Sequence, residues 1–257
     1  MRTLGLLFRK ELLESWRTLR MPVVLALFAA IGLMSPLLAR FLPQIIEAAG
    51  GDQLGSLVMP TPTAIDAVAQ LARNLLQFGA LTAILLAMGS VAAEKERGTA
   101  AFVVSRSVRR SAFLLAKVAM LGLLLAAGCA LSVGLAWAYT EILFEPAMGS
   151  IAGWVMFGIE AWLGLCVFAA ITFTASVMTG SATVAAGFGL GALLVLSLMA
   201  ALPSIGDLTP AGLIQGAVAA VPADHPVLDS LAACGVAGTA IAALVGLSIR
   251  SFGRQEL

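Results

Sequence analysis

The sequence predicts an all-α membrane protein with six transmembrane helices, and three observations carry that prediction. Of its 257 residues, 60% are hydrophobic and 11% charged, with a mean hydropathy of +1.01. An ordinary soluble domain has roughly 45–50% apolar and about 25% charged residues. A chain this poor in charge cannot clothe itself for water, so most of its surface must face lipid. Apolar runs of spanning length recur six times along it, and its basic residues gather on one side of those runs. Spans of roughly 20 residues use about half the chain and leave no connection long enough for a separate globular domain. Residues 1–257 therefore read as a single transmembrane domain.

The elements follow in order. In residues 1–21, Leu4, Phe8, Leu12, Trp16 and Leu19 recur at helical spacing, Leu7 and Leu13 widen that face, and Arg9, Lys10, Glu14 and Arg17 fall elsewhere. This is the pattern of an amphipathic helix. It ends against Met21-Pro22, where proline suits the first turn of a new helix, and so predicts an elbow lying along the membrane interface. The elbow is either an anchor or part of a subunit interface. Spans follow at about 22–42, 70–92, 113–138, 151–176, 182–203 and 229–250. The first reads as a retained helix, because a long basic leader precedes it and no A-x-A site closes it.

Two connections carry pattern of their own. Residues 93–112 hold a charged stretch, Ala93-Glu94-Lys95-Glu96-Arg97-Gly98-Thr99, then a short apolar piece, then the basic turn Ser105-Arg106-Ser107-Val108-Arg109-Arg110-Ser111. That is either a solvated loop or a docking surface. Before the last span, Asp207-Leu208-Thr209-Pro210 starts a helix, with Thr209 as cap and Pro210 in the first turn. The apolar residues 211–221 are too few to span and predict a short re-entrant or interfacial helix on the outer face.

Charge sets the expected orientation. Arg2, Arg9, Lys10, Arg17 and Arg20 precede the first span, Lys95, Arg97, Arg106, Arg109, Arg110 and Lys117 surround the 93–112 connection, and Arg250 and Arg254 lie at the other end of the sequence. Glu47, Asp52, Asp66, Glu141, Glu145, Asp207, Asp224 and Asp229 sit in or beside the opposite loops, as do the exceptions Arg40 and Arg73. The positive-inside rule puts both termini in the cytoplasm of a multi-pass protein of the cell (inner) membrane.

Polar groups at membrane depth each need a reason, since a centred charge costs on the order of 2.5–3.5 kcal/mol on insertion scales. Glu160 falls about ten residues into the fourth span, where it either serves a transport pathway or makes a structural hydrogen bond. Gln70, Asn74 and Gln77, with Asp66 a turn earlier, share one face of the second span. They line a pathway or interface, or join helices as hydrogen-bonding glue. Gly122, Ala126, Ala130 and Gly134, and separately Gly187 and Gly191, form small-residue seams for close helix packing within or between chains. Cys129, Cys166 and Cys234 are scattered in apolar runs and His225 stands alone in a turn-like Ala-Asp-His-Pro, so no metal site is expected.

The order Glu-Lys-Glu-x-Gly-Thr, then Ser-x-x-Arg, then a lysine leading into a helix resembles the loop between the second and third helices of type-2 (ABC-2 type) ABC transporter permeases. So do Pro60-Thr61-Pro62-Thr63-Ala64 with Gln70, Asn74, Gln77 and Gly79, and the amphipathic start with Arg9-Lys10-Glu11-Leu12. Many relatives have a proline before the turn where this chain has Arg106-Ser107-Val108.

The resemblance implies that residues 93–112 carry a cytoplasmic coupling helix seated on a separate ATPase. Glu94, Glu96, Arg97, Arg106 and Arg109 would supply polar contacts, Gly98 the turn, and Phe102 with Val103 the apolar contact. It further implies an exporter built from two permease chains as a homodimer, with two ATPase copies. ATP and Mg would bind on the ATPase, since this sequence has no G-x-x-x-x-G-K-[ST] loop. Some relatives also work with a periplasmic or other extracytoplasmic accessory protein. No enzyme activity, cofactor or nucleic-acid partner is expected of the chain itself. The alternative is an ATP-independent secondary carrier or channel, favoured by Glu160 and opposed by the lack of a recognisable inverted repeat. An intramembrane enzyme would need a nucleophile with its base or clustered metal ligands at membrane depth.

Overall fold

The computed structural model describes residues 2–48, 61–96, 98, 109–144, 149–202, 205–222 and 228–254. Among them are six helices long and apolar enough to cross a bilayer. The chain opens with α1 (Arg2–Arg17) and turns into the first span, α2 (Arg20–Ala48). Leu19 makes that turn in a left-handed backbone conformation, φ +60°, which costs a non-glycine residue about 1 kcal/mol or more.

The second span is one continuous rod in three parts: α3 (Ala64–Asn74), a π-helical turn at Leu75–Gly79, and α4 (Ala80–Glu96). It begins six residues earlier than hydropathy suggests because Asp66 caps it, accepting hydrogen bonds from the Thr63 N–H at 2.9 Å and the Thr63 hydroxyl at 2.7 Å. The third and fourth spans are α5 (Arg110–Leu143) and α6 (Ile151–Thr179). Ser150 caps α6 through the Gly153 N–H, and Gly180 stops it in the left-handed conformation.

The fifth span, α7 (Ala182–Met199), ends short of the expected residue 203, consistent with Pro203 disfavouring helix in the residue before it. A short helix α8 (Pro210–Gly216) starts with Thr209 as cap and Pro210 in its first turn, and continues as a 3-10 turn at Ala217–Ala220. The last span is α9 (Leu228–Gly253).

The α3–α4 rod and α6 form the interior. Around them α2 packs on α5, α7 on both α4 and α6, and α9 on α6. Fully buried aromatic rings, among them Phe28, Phe113, Phe157, Phe168 and Phe173, fill the space between the helices. Close approach is obtained with glycine. A Cβ at Gly128 would lie 2.8 Å from the Phe28 ring, and one at Gly164 would lie 2.6 Å from Ile214 Cγ1 and 2.8 Å from the Pro210 carbonyl oxygen. The second contact seats α8 against α6. At the other end of the same short segment Val221 presses on Gly153, so residues 210–221 run beside α6 over about eleven of its residues, roughly 16 Å.

The small-residue seams lie elsewhere. Gly134, Gly187 and Gly191 have open space where a Cβ would stand, and the Gly122 carbonyl accepts a hydrogen bond from the Trp162 ring N–H at 2.9 Å. Gly164→Val should therefore destabilise the protein by about 1–3 kcal/mol through overpacking. Gly187→Ala should leave the stability of the isolated chain nearly unchanged. Thermal unfolding in detergent distinguishes the two.

Candidate functional site

At the end of the bundle where α4, α6 and α9 finish and α5 begins, the basic side chains are tied to particular partners. Lys117 lies two turns inside α5 and is 5% exposed. Its ammonium donates to Glu94 on α4 at 2.7 Å and to Glu11 on α1 at 3.2 Å, and it stands 5.1 Å from the centre of the Phe113 ring. Lys10 extends the group outward, with Glu11 at 3.4 Å, Glu14 at 3.3 Å and Glu94 at 3.8 Å. Burial pulls the Lys10 pKa down, and Glu11, Glu94 and Glu14 together outweigh it, so the ammonium is held above its ordinary value. Its contribution is complete at neutral pH and is lost only as the pH rises through that raised value.

Three further contacts brace the same end. Lys95 donates to the Val177 carbonyl at the C-terminus of α6 and sits 5.4 Å from the centre of the Phe252 ring. Arg110 donates to the Phe252 and Gly253 carbonyls at the end of α9, at 3.3 and 3.1 Å. Phe113 stacks on Phe252 with ring centres 6.0 Å apart. Cations placed on the last carbonyls of helices satisfy acceptors that have no partner inside the helix and complement its dipole.

These contacts bear on the residues expected to meet an ATPase. Glu94 is turned inward, 17% exposed, onto Lys117. Glu96 and Arg109 are exposed on the two sides of the connection. Gly98 adopts φ +70°, and its N–H returns to the Lys95 carbonyl at 3.0 Å, ending the helix. Arg97, Phe102, Val103 and Arg106 lie outside the described residues.

The reading of α1 also changes. Phe8 and Leu12 pack on the core, but the inward face centres on Glu11, while Leu13, Trp16 and Leu19 are exposed. The signal was present in the sequence. A lysine at membrane depth requires a carboxylate, and Glu11 stands at helical spacing from Phe8.

On the second span, Gln70 and Asn74 come together and Gln77 departs from them. Arg73 donates to the Gln70 side-chain oxygen at 2.9 Å, Gln70 to Asn74 at 3.2 Å, Asn74 to the Ser35 hydroxyl at 2.9 Å, and Ser35 to the Ile31 carbonyl at 2.6 Å. This chain of bonds ties α3 to α2. In the π-helical turn the Ala80 N–H reaches back to the Leu75 carbonyl, one residue further than in an α-helix, which changes the register. Gln77 falls in that turn and is exposed.

Glu160 is 1% exposed, and its Oε1 has no hydrogen-bond partner among the described residues. The Ser230 side chain on α9 lies close to its carboxyl group. No group of three or more metal-ligating side chains occurs among the described residues.

A sequence profile for the family described as ABC-2 family transporter protein matches residues 6–257. An uncharacterized transmembrane protein, YxlG of Bacillus subtilis (strain 168), is 29% identical over 177 residues, covering 63% of this chain and 67% of the relative.

Removing the charge of Lys117 leaves the Glu11 and Glu94 carboxylates with only the more exposed Lys10 ammonium, at 3.4 and 3.8 Å, to compensate them. Lys117→Met should destabilise the protein by about 3–5 kcal/mol, and Glu94→Gln in the same chain should recover part of the loss. A double-mutant cycle on detergent unfolding measures both.

Proposed function

This chain belongs to the ABC-2 family of transporter proteins, and on that premise we propose that it is the permease subunit of an ATP-driven exporter. In this reading two copies form the pathway as a homodimer. Two copies of a separate ATPase, carrying ATP and Mg, drive it from the cytoplasmic side. The clustering of Lys10, Lys95, Arg110 and Lys117 at one end of the bundle supports placing that end, and both termini, in the cytoplasm.

The observation that carries the mechanism is the ionic node at Lys117. The 93–112 connection leaves from the last turn of α4 and returns into the first turns of α5. Glu94 and Lys117 staple those two roots together at 2.7 Å, Glu11 joins α1 to the staple, and Lys95 and Arg110 fasten the roots to the ends of α6 and α9. A push on this connection from a closing ATPase then moves several helix ends together and is not absorbed by one flexible strand. Glu96 and Arg109, with Arg97, Phe102 and Arg106, provide the contact surface, Gly98 provides the turn, and Glu94 acts as a positioning residue behind them.

Other features take roles within the same reading. The open seams at Gly134, Gly187 and Gly191 suit close approach of a second copy. The buried segment at residues 210–221 closes the outer end of the pathway, where a re-entrant helix is expected. Asn74 serves as structural glue to Ser35, whereas Gln77 is free to face the pathway or the second copy. Glu160 lines the pathway when the helices around Ser230 separate.

Co-purification tests the proposal. The tagged chain should recover a Walker-A-containing ATPase, and Glu96→Lys combined with Arg109→Glu should reduce that recovery at least tenfold without unfolding the chain. Full transport in vesicles lacking both ATPase and ATP would overturn the reading in favour of a self-sufficient carrier. Glu160→Gln should lower transport while leaving ATPase recovery intact; unchanged transport removes Glu160 from the pathway.

A further inference from the structure

We propose that the outward face of α1 is a binding surface for the phosphate headgroups of anionic phospholipids in the adjacent leaflet, with Arg9 and Arg17 as the phosphate-binding groups and Trp16 as the interfacial anchor. Leu6, Arg9, Leu13, Trp16 and Arg17 fall within one arc of the helix. Leu6, Leu13 and Trp16 are 67%, 49% and 60% exposed, and both arginines are exposed.

The charges on this helix divide into two sets. Lys10, Glu11 and Glu14 belong to the ionic node. No carboxylate among the described residues forms an ion pair with Arg9 or Arg17. The outward arc therefore presents uncompensated guanidinium groups between apolar side chains. A guanidinium binds phosphate oxygens through paired N–H donors. Leucine and tryptophan beside it suit the boundary between headgroups and acyl chains. Arg9 and Arg17 are eight residues apart, about 12 Å along the helix, so each can take its own phosphate.

Continuity with the membrane-embedded surface favours lipid over an acidic protein. The exposed apolar line passes from Trp16 through Leu19 to Val23 on α2, inside the first span. Only Thr18 and Leu19 separate Arg17 from the start of that span at Arg20, three Cα steps that reach at most about 11 Å. The end of α1 is thus held close to the headgroup layer.

The test uses the full chain in nanodiscs and measures quenching of Trp16 fluorescence by brominated phospholipid, with the signal isolated by subtracting that of Trp16→Phe. At equal mole fraction, a brominated anionic phospholipid should quench Trp16 more than a brominated zwitterionic one. Arg9→Gln and Arg17→Gln should each lower the apparent preference for the anionic lipid about fivefold, while Arg9→Lys with Arg17→Lys should keep most of it. Equal quenching by the two lipids, or no quenching of Trp16 by either, overturns the proposal. So does loss of quenching when the partner ATPase is added, because the face would then belong to a protein. The comparison of the two lipids and of the arginine variants is independent of whether the 93–112 connection recruits that ATPase.

Discussion

An ammonium ion two turns inside a membrane helix has to be compensated, and the compensation of Lys117 organises one whole end of this protein. Its two carboxylate partners come from segments far apart in sequence, Glu11 on α1 and Glu94 on α4. Holding both requires α1 to pack against α5 and α4 to finish level with the first turns of α5. The neighbouring cations then meet the ends of α6 and α9, because those helices also stop at this level. Charge pairing sets where these helices end relative to one another more tightly than apolar packing does, since hydrocarbon contacts tolerate sliding and a buried ion pair does not.

The opposite half is built on contact and shape. There the backbone of residues 210–221 lies against α6 because Gly153 and Gly164 carry no side chain, and the interhelical polar link is a run of neutral hydrogen bonds through Asn74 and Ser35. Neutral links of this kind contribute on the order of 1 kcal/mol. An end held by charge and an end held by shape respond differently to force.

The six spans were legible because hydropathy and the lipid requirement act on every residue of a span at once. Boundaries were less so. Asp66 caps the second span from outside its apolar run, and Pro203 stands beyond the point where α7 stops; both are single-residue signals that an average over a window dilutes. Which side of α1 meets the bundle was not legible for a related reason. Leucine and tryptophan at helical spacing mark an apolar face, and the position that decides the orientation is Glu11, whose partner Lys117 is 106 residues away. Glu94 reads from the sequence as a polar contact of the connection, and its inward direction depends on the same distant lysine. Gln77 was assigned to the face of Asn74 on an α-helical period, which the π-helical turn does not obey.

That turn has a further meaning for how the chain tolerates change in length. Elsewhere in the second span an inserted or deleted residue would rotate every later side chain by about 100° and dissolve either the Ser35 link or the Glu94 staple. Residues 75–79 already hold one residue more than an α-helix needs, so they separate the rod into two segments with independent registers. A deletion confined to this stretch would reset α3 against α2 while leaving Glu94 and its neighbours in place. The π-helical turn at residues 75–79 is thus the seam at which an otherwise rigid rod can be re-cut.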